Sequence, residues 1–413
     1  MEFQPIWEPD CFQLTPNMWY VVSPTDGNFP SPRVGHSLVT TGNSIFVIGG
    51  ASSQDGLLND VYELNISVYK WIKHDIKGSF APRYEHTCFT VPSVYPSRFY
   101  IFGGCGNEGN LNDVSYVDLL EANPEWKCAS VSGNAPSPRS CRGSAVSIDH
   151  YFYVWAGGLQ GSEPVSDPSM YQLNVLDNTW KVCCDGTNAP SVRQGHTLTC
   201  SKDNIYMFGG LAGDVFYNDV YMWNLKSGWR KLSTSNNPSP RAGHASILLG
   251  NGCMAFIGGI DKSMSALQET WIFNPCTLVW SQLSYSGESL QPRLDHAITF
   301  FPAQNKTLSD YSENIGSTAI MKRGSSLPLR PINNQQNSPK KIIDITDQFT
   351  PSPSITDSFQ TPSSESSTAI SDASSSLISP SPPDPSLNQI LVFGGMDTVG
   401  NVFDDALLIH IIQ

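Results

Sequence analysis

The chain has 413 residues with 24 basic and 37 acidic side chains, and its formal net charge at pH 7 is -13. This acidic balance argues against a nucleic-acid backbone or an anionic lipid surface as the main partner. The N-terminal residues show no basic start with an apolar core, and no run approaches the roughly 18 apolar residues of a spanning helix. The ten cysteines follow no disulfide framework. We therefore expect a cytoplasmic protein with reduced thiols.

An apolar run that ends in a Gly-Gly pair occurs six times. The pairs are Gly49-Gly50, Gly103-Gly104, Gly157-Gly158, Gly209-Gly210, Gly258-Gly259 and Gly394-Gly395. The first five start 54, 54, 52 and 49 residues apart, which indicates a structural repeat. Each run is too short for a helix and predicts a buried strand. No phosphate-binding helix follows the pairs, so we assign them a structural role, with positive φ at the second glycine.

Three further strands complete each repeat. One surrounds an aromatic residue after the glycine pair: Tyr62, Tyr116, Tyr171, Tyr221 and Trp271. The next contains a tryptophan eight to ten residues later: Trp71, Trp126, Trp180, Trp229 and Trp280. The remaining strand follows an arginine: Arg33, Arg83, Arg139, Arg193, Arg241 and Arg293. We expect the tryptophans to anchor the core.

A histidine stands three residues after five of the six arginines. These are His36, His86, His196, His244 and His296, and the third repeat has Arg142 at this place. Equivalent positions of successive repeats are spread around an axis, whereas the ligands of a metal lie within about 2.1 Å of one ion. We therefore predict no catalytic or metal role and expect hydrogen bonds that tie neighbouring repeats together.

A four-stranded unit of this length is typical of a β-propeller blade, and the pattern resembles the kelch repeat. The resemblance implies an all-β, six-bladed kelch β-propeller. The last repeat ends without its tryptophan strand, but the N-terminal MWYVV segment contains Trp19. We predict that this segment closes the last blade, because closure leaves no open sheet edge between the first and last blades.

The sixth blade is interrupted by a long polar segment. We predict a kelch propeller over 16–302, a disordered Ser/Pro-rich insertion over 303–388 and the remainder of blade six over 389–413. Six hydroxyl residues of the insertion precede proline, which is compatible with phosphorylation by proline-directed kinases. They are Ser338, Thr350, Ser352, Thr361, Ser379 and Ser381. The alternative is that serine and proline are simply the composition of a linker.

Several stretches are more specific than the generic repeat. PRYEH, GGLAGDVFYND, PRLDH and LVFGGMDTVGNVFDD resemble kelch-motif effectors of Rab GTPases over nearly the whole chain except the insertion. The resemblance implies a non-catalytic protein without a cofactor, bound to the GTP-loaded form of a late-endosomal Rab GTPase. It also implies vesicle transport from endosomes to the trans-Golgi network and indirect, peripheral attachment to endosome membranes. The alternatives are a substrate adaptor of a ubiquitin ligase and a cytoskeletal or other scaffold protein.

Strand directions predict which face binds a partner. The loops after the glycine pairs open on the face that carries the arginines, whereas the insertion and both chain termini lie towards the other face. We therefore predict binding by the loops of the arginine face. The candidate contacts are Asp55, Asn107, Glu108, Gln160, Glu163, Asp214, Phe216, Asp261, Met396 and Asp397.

Overall fold

The structure is a computed structural model that describes residues 14–22, 26–91, 94–119, 121–141, 143–301, 329–331 and 388–412. Within these residues it consists of β-strands and turns and contains no α-helix. The strands form six antiparallel sheets of four main strands each, arranged as the blades of a propeller. The predicted fold class, an all-β six-bladed kelch β-propeller, is confirmed.

Each blade is named by its position along the chain, and its strands are numbered one to four from the propeller axis outwards. Blade one contains Ser37–Thr41, Ser44–Ser52, Gly56–Asn65 and Lys70–Lys73. Blade two contains Thr87–Val91, Tyr95–Phe102, Val114–Asp118 and Lys127–Cys128. Blade three contains Ala145–Ile148, Tyr151–Trp155, Met170–Asn174 and Thr179–Cys184. The first strands of neighbouring blades lie side by side around the axis.

The remaining blades repeat this order. Blade four contains Thr197–Ser201, Asn204–Phe208, Val220–Asn224 and Gly228–Leu232. Blade five contains Ala245–Leu248, Met254–Ile257, Thr270–Asn274 and Val279–Gln282. Blade six contains Ala297–Phe300, Gln389–Phe393, Ala406–His410 and Trp19–Val22.

Short strands extend this framework. Three hairpins follow strand two of blades two, three and four: Cys105–Gly106 with Gly109–Asn110, Gly158–Gln160 with Glu163–Pro164, and Leu211–Ala212 with Val215–Phe216. Asp26–Gly27 and Ser132–Gly133 run parallel to the outer strands of blades one and three. The two parallel strands cover part of the outer sheet edges, where unpaired backbone groups would otherwise be exposed.

The N-terminal segment closes blade six as predicted. Trp19–Val22 pairs antiparallel with Ala406–His410, and Trp19 lies opposite Ile409. Both residues are almost fully buried in one apolar cluster that also contains Leu290 of blade six's leading segment and Ile272 of blade five. Closure is therefore made by strand pairing and by a buried aromatic side chain together.

The predicted insertion contains one described segment. Leu329–Pro331 is a strand that pairs antiparallel with Tyr20–Val22 and forms a fifth, outermost strand of blade six. The expectation of a loop without structure is wrong for these three residues. The six candidate phosphorylation sites, from Ser338 to Ser381, lie outside the described residues. The boundaries 16–302, 303–388 and 389–413 remain a proposed division of the chain.

The repeated tryptophans anchor the contacts between blades. All five are buried, with exposed fractions between 1% and 8%. Trp180 of blade three packs against Phe102 of blade two, at a ring distance of 5.2 Å. Trp280 of blade five packs in the same way against Phe208 of blade four, at 4.7 Å. The prediction that the tryptophans are core anchors is confirmed, and both of these tryptophans contact aromatic rings of their own blade as well as of the preceding one.

The glycine pairs adopt the predicted backbone, with one shift of register. In five blades both glycines have positive φ, for example 67° at Gly209 and 95° at Gly210. In blade three these two positions are taken by Ala156, with φ of 49°, and Gly157, with φ of 112°. The prediction that Gly157-Gly158 is the structural pair is therefore wrong by one residue.

Candidate functional site

Six loops connect strand two to strand three on the face that carries the arginines. We call this the arginine face, and its six connections the face loops: 51–58, 105–111, 158–165, 211–217, 260–267 and 396–403. At the end of a face loop, a backbone N–H donates to the carbonyl of the second glycine position, as Tyr217 does to Gly210 at 2.9 Å. The face loops thus have a common frame and differ in the side chains at their tips.

The six arginines brace the bases of these loops from inside. All are at most 1% exposed. Arg83 donates to the carbonyl of Gly103 at 3.0 Å and, through both terminal nitrogens, to the carboxylate of Asp113 at 2.7 and 2.9 Å. Because Gly103 and Asp113 belong to blade two, the side chain bonds within its own blade. The prediction that arginine side chains tie neighbouring blades is therefore wrong.

An acidic partner faces the arginine in every blade. The pairs are Arg33 with Asp60, Arg83 with Asp113, Arg139 with Asp167, Arg193 with Asp219, Arg241 with Glu269 and Arg293 with Asp405. Five pairs are 2.5 to 2.7 Å apart. A guanidinium that is removed from water needs such partners, because an unpaired buried charge is strongly destabilising. The regular arginines are therefore structural.

The arginine backbone provides the link between neighbouring blades. The N–H of Gly50 in blade one donates to the carbonyl of Arg83 at the entrance to blade two, at 2.9 Å. The N–H of Gly395 in blade six donates in the same way to the carbonyl of Arg33, at 3.0 Å. The second glycine position therefore connects consecutive blades through the main chain, across the closure as well.

The histidines lie between blades. A Cβ added at Gly209 of blade four would meet the ring of His244 of blade five at 2.9 Å. The Nε2 atom of His244 is also 3.0 Å from the hydroxyl of Thr197 in blade four. The predicted hydrogen bond between neighbouring blades is thus present for this histidine. In blades one, four, five and six the next blade's histidine ring thus occupies the space that a side chain on the first glycine would need.

Blade three departs from the common pattern. Its arginine, Arg139, is 3.9 Å from the Asp167 carboxylate, and burial lowers its pKa. The hydroxyl of Tyr171 donates to Asp167 at 2.5 Å. The Cys141 sulfur lies where a Cβ on Gly103 would approach it to 2.8 Å, in the role that histidine rings fill elsewhere. Arg142, which the sequence placed in the histidine slot, lies outside the described residues.

Five backbone hydrogen bonds link the second residues after the six arginines into a chain around the axis, from Cys141 to Gly195. Glu85 N–H donates to Gly35 at 2.7 Å, Gly35 to Asp295 at 3.1 Å, and Asp295 to Gly243 at 3.1 Å. All four residues have left-handed φ, including the non-glycine residues Glu85 at 53° and Asp295 at 57°. Such a backbone costs a residue with a side chain about 1 kcal/mol or more, so these two carboxylates are held at the axis by the surrounding ring.

The ring surrounds a central cavity of about 450 Å³ that opens on the arginine face. Its lining includes Tyr84, Glu85, Gln160, Gln194 and Asp295. Burial raises the pKa of the Tyr84 hydroxyl, and the nearby charges of Glu85 and Asp295 add to this effect. The cavity mouth is therefore polar and acidic.

The predicted contact residues lie on the face loops, but they differ in exposure. Asp55, Asn107, Glu108, Gln160, Glu163 and Asp214 are exposed, whereas Phe216, Asp261, Met396 and Asp397 are partly buried. The Asp261 carboxylate accepts hydrogen bonds from the backbone N–H groups of Ser263 and Ser265 at 2.9 and 3.1 Å. Asp397 accepts in the same way from Val399 and Asn401 at 3.0 and 2.9 Å. These two aspartates organise their loops, and their contact with a partner remains a prediction.

Two kinds of surface residue escaped the sequence reasoning. Glu85 and Asp295 are the second residues after their arginines, a position that is glycine in PRVGH, VRQGH and PRAGH. The replacement of this glycine by an acidic residue could have identified them from the sequence. Exposed apolar side chains at loop tips were also missed: Leu159, Val215, Met264 and Val399. No periodic pattern reveals them, since a loop tip has neither the helical nor the strand repeat.

The described residues include no group of three or more histidine, cysteine, aspartate or glutamate side chains that could hold a metal ion. Nine cysteines in the described ranges are free thiols. The described part of the chain contains no helix that is long and apolar enough to cross a membrane.

Comparison with known proteins agrees with this architecture. The model of the KLHDC2/KLHL20/DRC7 Kelch-repeats domain matches residues 8–157 and 120–307. The chain belongs to the kelch-repeat family. A solved structure titled "Structure of YjhT" has a TM-score of 0.56 and 14% identity, and the match covers 92% of this chain and 95% of that one. At this identity the likeness concerns the fold alone.

Several curated relatives of this kelch chain share one description. The rat Rab9 effector protein with kelch motifs is 27% identical over 400 residues, with 94% of each chain covered. The human Rab9 effector protein with kelch motifs is 34% identical over 212 residues, which cover 49% of this chain and 55% of the relative. The chain thus spans about half the length of the human relative it matches, while its alignment with the rat relative is nearly complete.

Proposed function

We propose that this kelch propeller is a non-catalytic effector of a GTP-loaded late-endosomal Rab GTPase. In this role it promotes vesicle transport from endosomes to the trans-Golgi network. It works in the cytoplasm and reaches endosome membranes peripherally, through its partner. The observation that carries the proposal is the alignment along 94% of the rat Rab9 effector protein with kelch motifs.

The surface chemistry supports a protein partner. Every face loop contributes one carboxylate, and Lys262 is the single basic residue among the six loops. The buried arginine pairs and the backbone links hold these loops in a fixed arrangement, which reduces the ordering cost of binding. The ten predicted residues from Asp55 to Asp397 are the proposed contact set.

The test is nucleotide-dependent retention. The full chain is immobilised and exposed to purified Rab GTPases, including Rab9, loaded with a GTP analogue or with GDP. We expect at least tenfold more retention of the GTP-analogue form for one Rab, because an effector reads the GTP-bound switch conformation. Equal retention of both forms, or retention of neither, contradicts the proposal. Nucleotide-independent capture of a ligase subunit or of a cytoskeletal protein would favour the adaptor or scaffold alternative.

A further inference from the structure

The arginine face is chemically divided. The tips of the face loops in blades four, five and six expose Val215, Met264 and Val399, with exposed fractions of 55%, 42% and 76%. The face loop of blade three also exposes Leu159, at 57%, whereas the face loops of blades one and two, all of whose residues the structure describes, carry no exposed large apolar side chain. An exposed apolar set on adjacent loops indicates an interaction surface, whereas single exposed apolar residues are ordinary.

These tips stand above an apolar layer that reaches into the propeller. Phe216, Ala266 and Met396 are partly buried and pack against a fully buried cluster. The cluster contains Leu211, Ala242, Ile260 and Leu294. We call Val215, Phe216, Met264, Ala266, Met396 and Val399 the apolar strip. Because its base is packed, a partner that covers the strip would gain apolar burial without first ordering it.

Hydrogen bonds within the face loops hold the exposed residues of the strip in place before a partner binds. The Asp261 carboxylate accepts hydrogen bonds from the backbone N–H groups on either side of Met264, and the Asp397 carboxylate accepts them from Val399 itself and from Asn401. Although burial opposes it, the hydrogen bonds from Ser263 and Ser265 lower the pKa of Asp261, so the brace is charged at neutral pH. The exposed positions of Met264 and Val399 are therefore built into their loops.

A groove beside Val399 offers an anchoring place. It has a volume of about 470 Å³ and lies between blades five and six, lined by Ala266, Pro292, Val399 and Phe403 among others. A side chain inserted between two loops is removed from water on several sides, which is typical of the residues that dominate binding energy.

The charges beside the apolar strip indicate which residues should surround the matching apolar patch of the partner. The strip is flanked by Asp214, Asp261 and Asp397, with Lys262 as the single basic residue in these three face loops. An acidic border attracts basic side chains and repels acidic ones. The opposite face also exposes Val68, Leu176 and Leu225 in turns, but charges of both signs, Asp177 and Lys226, stand next to the two leucines.

We infer that the partner docks off the propeller axis, over the apolar strip of blades four to six, through an apolar patch bordered by lysine and arginine. This inference rests on the proposed function for the partner's identity, a GTP-loaded Rab GTPase, and narrows its contact to one half of the arginine face. Blades one and two then contribute long-range attraction and few direct contacts.

The test compares two double variants of the full chain. Val215→Ser with Val399→Ser removes apolar groups from the strip, and Leu176→Ser with Leu225→Ser removes similarly exposed groups from the opposite face. Affinity for a GTP-analogue-loaded Rab is measured by biolayer interferometry. We expect at least a tenfold weaker Kd for the strip variant, a change below twofold for the control, and unchanged melting temperatures. A strip variant that binds like the unmodified chain overturns the inference.

A second measurement does not depend on a GTPase. A random peptide library is selected on the immobilised chain and counter-selected on the strip variant. Enrichment of apolar residues flanked by lysine or arginine supports the inference even if no Rab is retained, in which case the proposed function alone has failed. Enrichment of acidic peptides, or of peptides that bind the strip variant equally well, contradicts it.

Discussion

At the residue scale, the buried histidines couple the propeller to pH. Burial and the charge of Arg83 lower the pKa of His86 to about 3, and burial and Arg193 lower the pKa of His196 to about 3. Both rings are therefore neutral in the folded chain at pH 7. In the unfolded chain a histidine takes up its proton near pH 6.5, so acid favours unfolding.

The first prediction concerns this proton uptake. Above about pH 6.5, protonation of these histidines does not reduce the free energy of unfolding. As the pH falls from 6.5 towards 3, each histidine reduces that free energy by about 1.4 kcal/mol per pH unit. We expect His86→Gln to lower the free energy of unfolding at pH 7. Between pH 6 and 4.5 this free energy should fall less steeply than in the unmodified chain, because about one proton fewer is taken up on unfolding. Urea unfolding at several pH values measures this slope. An unchanged slope in the variant would show that His86 does not titrate on unfolding.

Residue roles were only partly visible in the sequence. The regular spacing of arginine and histidine identified them as structural, because equivalent residues of successive repeats are spread around the axis and cannot converge on a single ion. Their partners could not be read in the same way. Asp113 follows Arg83 by 30 residues and meets it only because strand two returns to the arginine face, where strand three begins. Ala156 took the place of a glycine, and its positive φ has no sequence signature.

At the element scale, the strand Trp19–Val22 is held by buried side chains as well as by its backbone hydrogen bonds. Trp19 and Tyr20 are 1% and 3% exposed, and they face two different core clusters, one towards blade five and one towards blade one. Alternating side chains of a strand point to opposite faces of the sheet, so a single short strand packs against both neighbours.

A substitution of Trp19 tests the energetic weight of this strand. Trp19→Ala should reduce the free energy of unfolding by about 3 to 5 kcal/mol, because it removes a fully buried indole and leaves a cavity. Phe29→Ala is a suitable control, since Phe29 is 55% exposed and its loss should cost less than about 0.5 kcal/mol. Denaturant unfolding of both variants gives the comparison. Equal stabilities would mean that closure of blade six does not depend on the indole.

The elements themselves were the most predictable level. Strand runs, glycine pairs and tryptophans repeat with a fixed period, so each blade supports the assignment of the others. The closing strand was found because one tryptophan was missing at one end and present at the other. Pairing of Leu329–Pro331 with Tyr20–Val22 was not found, since a three-residue strand in a polar segment gives no hydrophobic alternation.

At the scale of the whole molecule, the arginine face combines an acidic surface with an apolar half. The two properties act at different distances. Carboxylates on all six face loops attract a basic partner before contact, whereas the apolar strip acts only once water is displaced. Association and dissociation should therefore respond to different changes of condition.

The ionic strength dependence of binding tests this division. With the Rab GTPase of the proposed function, we expect the association rate constant to fall about tenfold between 50 and 500 mM salt, because the Debye length shortens to a few Å. The dissociation rate constant should change much less. Replacing Asp55 and Glu108 by their amides should weaken the salt dependence of association, and kinetics measured by surface plasmon resonance resolve both constants. An association rate that rises with salt would contradict the role of the acidic face.

The pairing of Trp19 with Ile409 has a consequence for biosynthesis. The strand Trp19–Val22 cannot pair with Ala406–His410 until the five intervening blades have been translated. Contacts of such long sequence separation form slowly, and the intermediate that precedes them leaves the facing surfaces of blades one and five uncovered. Closure of this propeller should therefore be a late step of folding, and the open intermediate that precedes it is the species most exposed to aggregation and to recognition by chaperones.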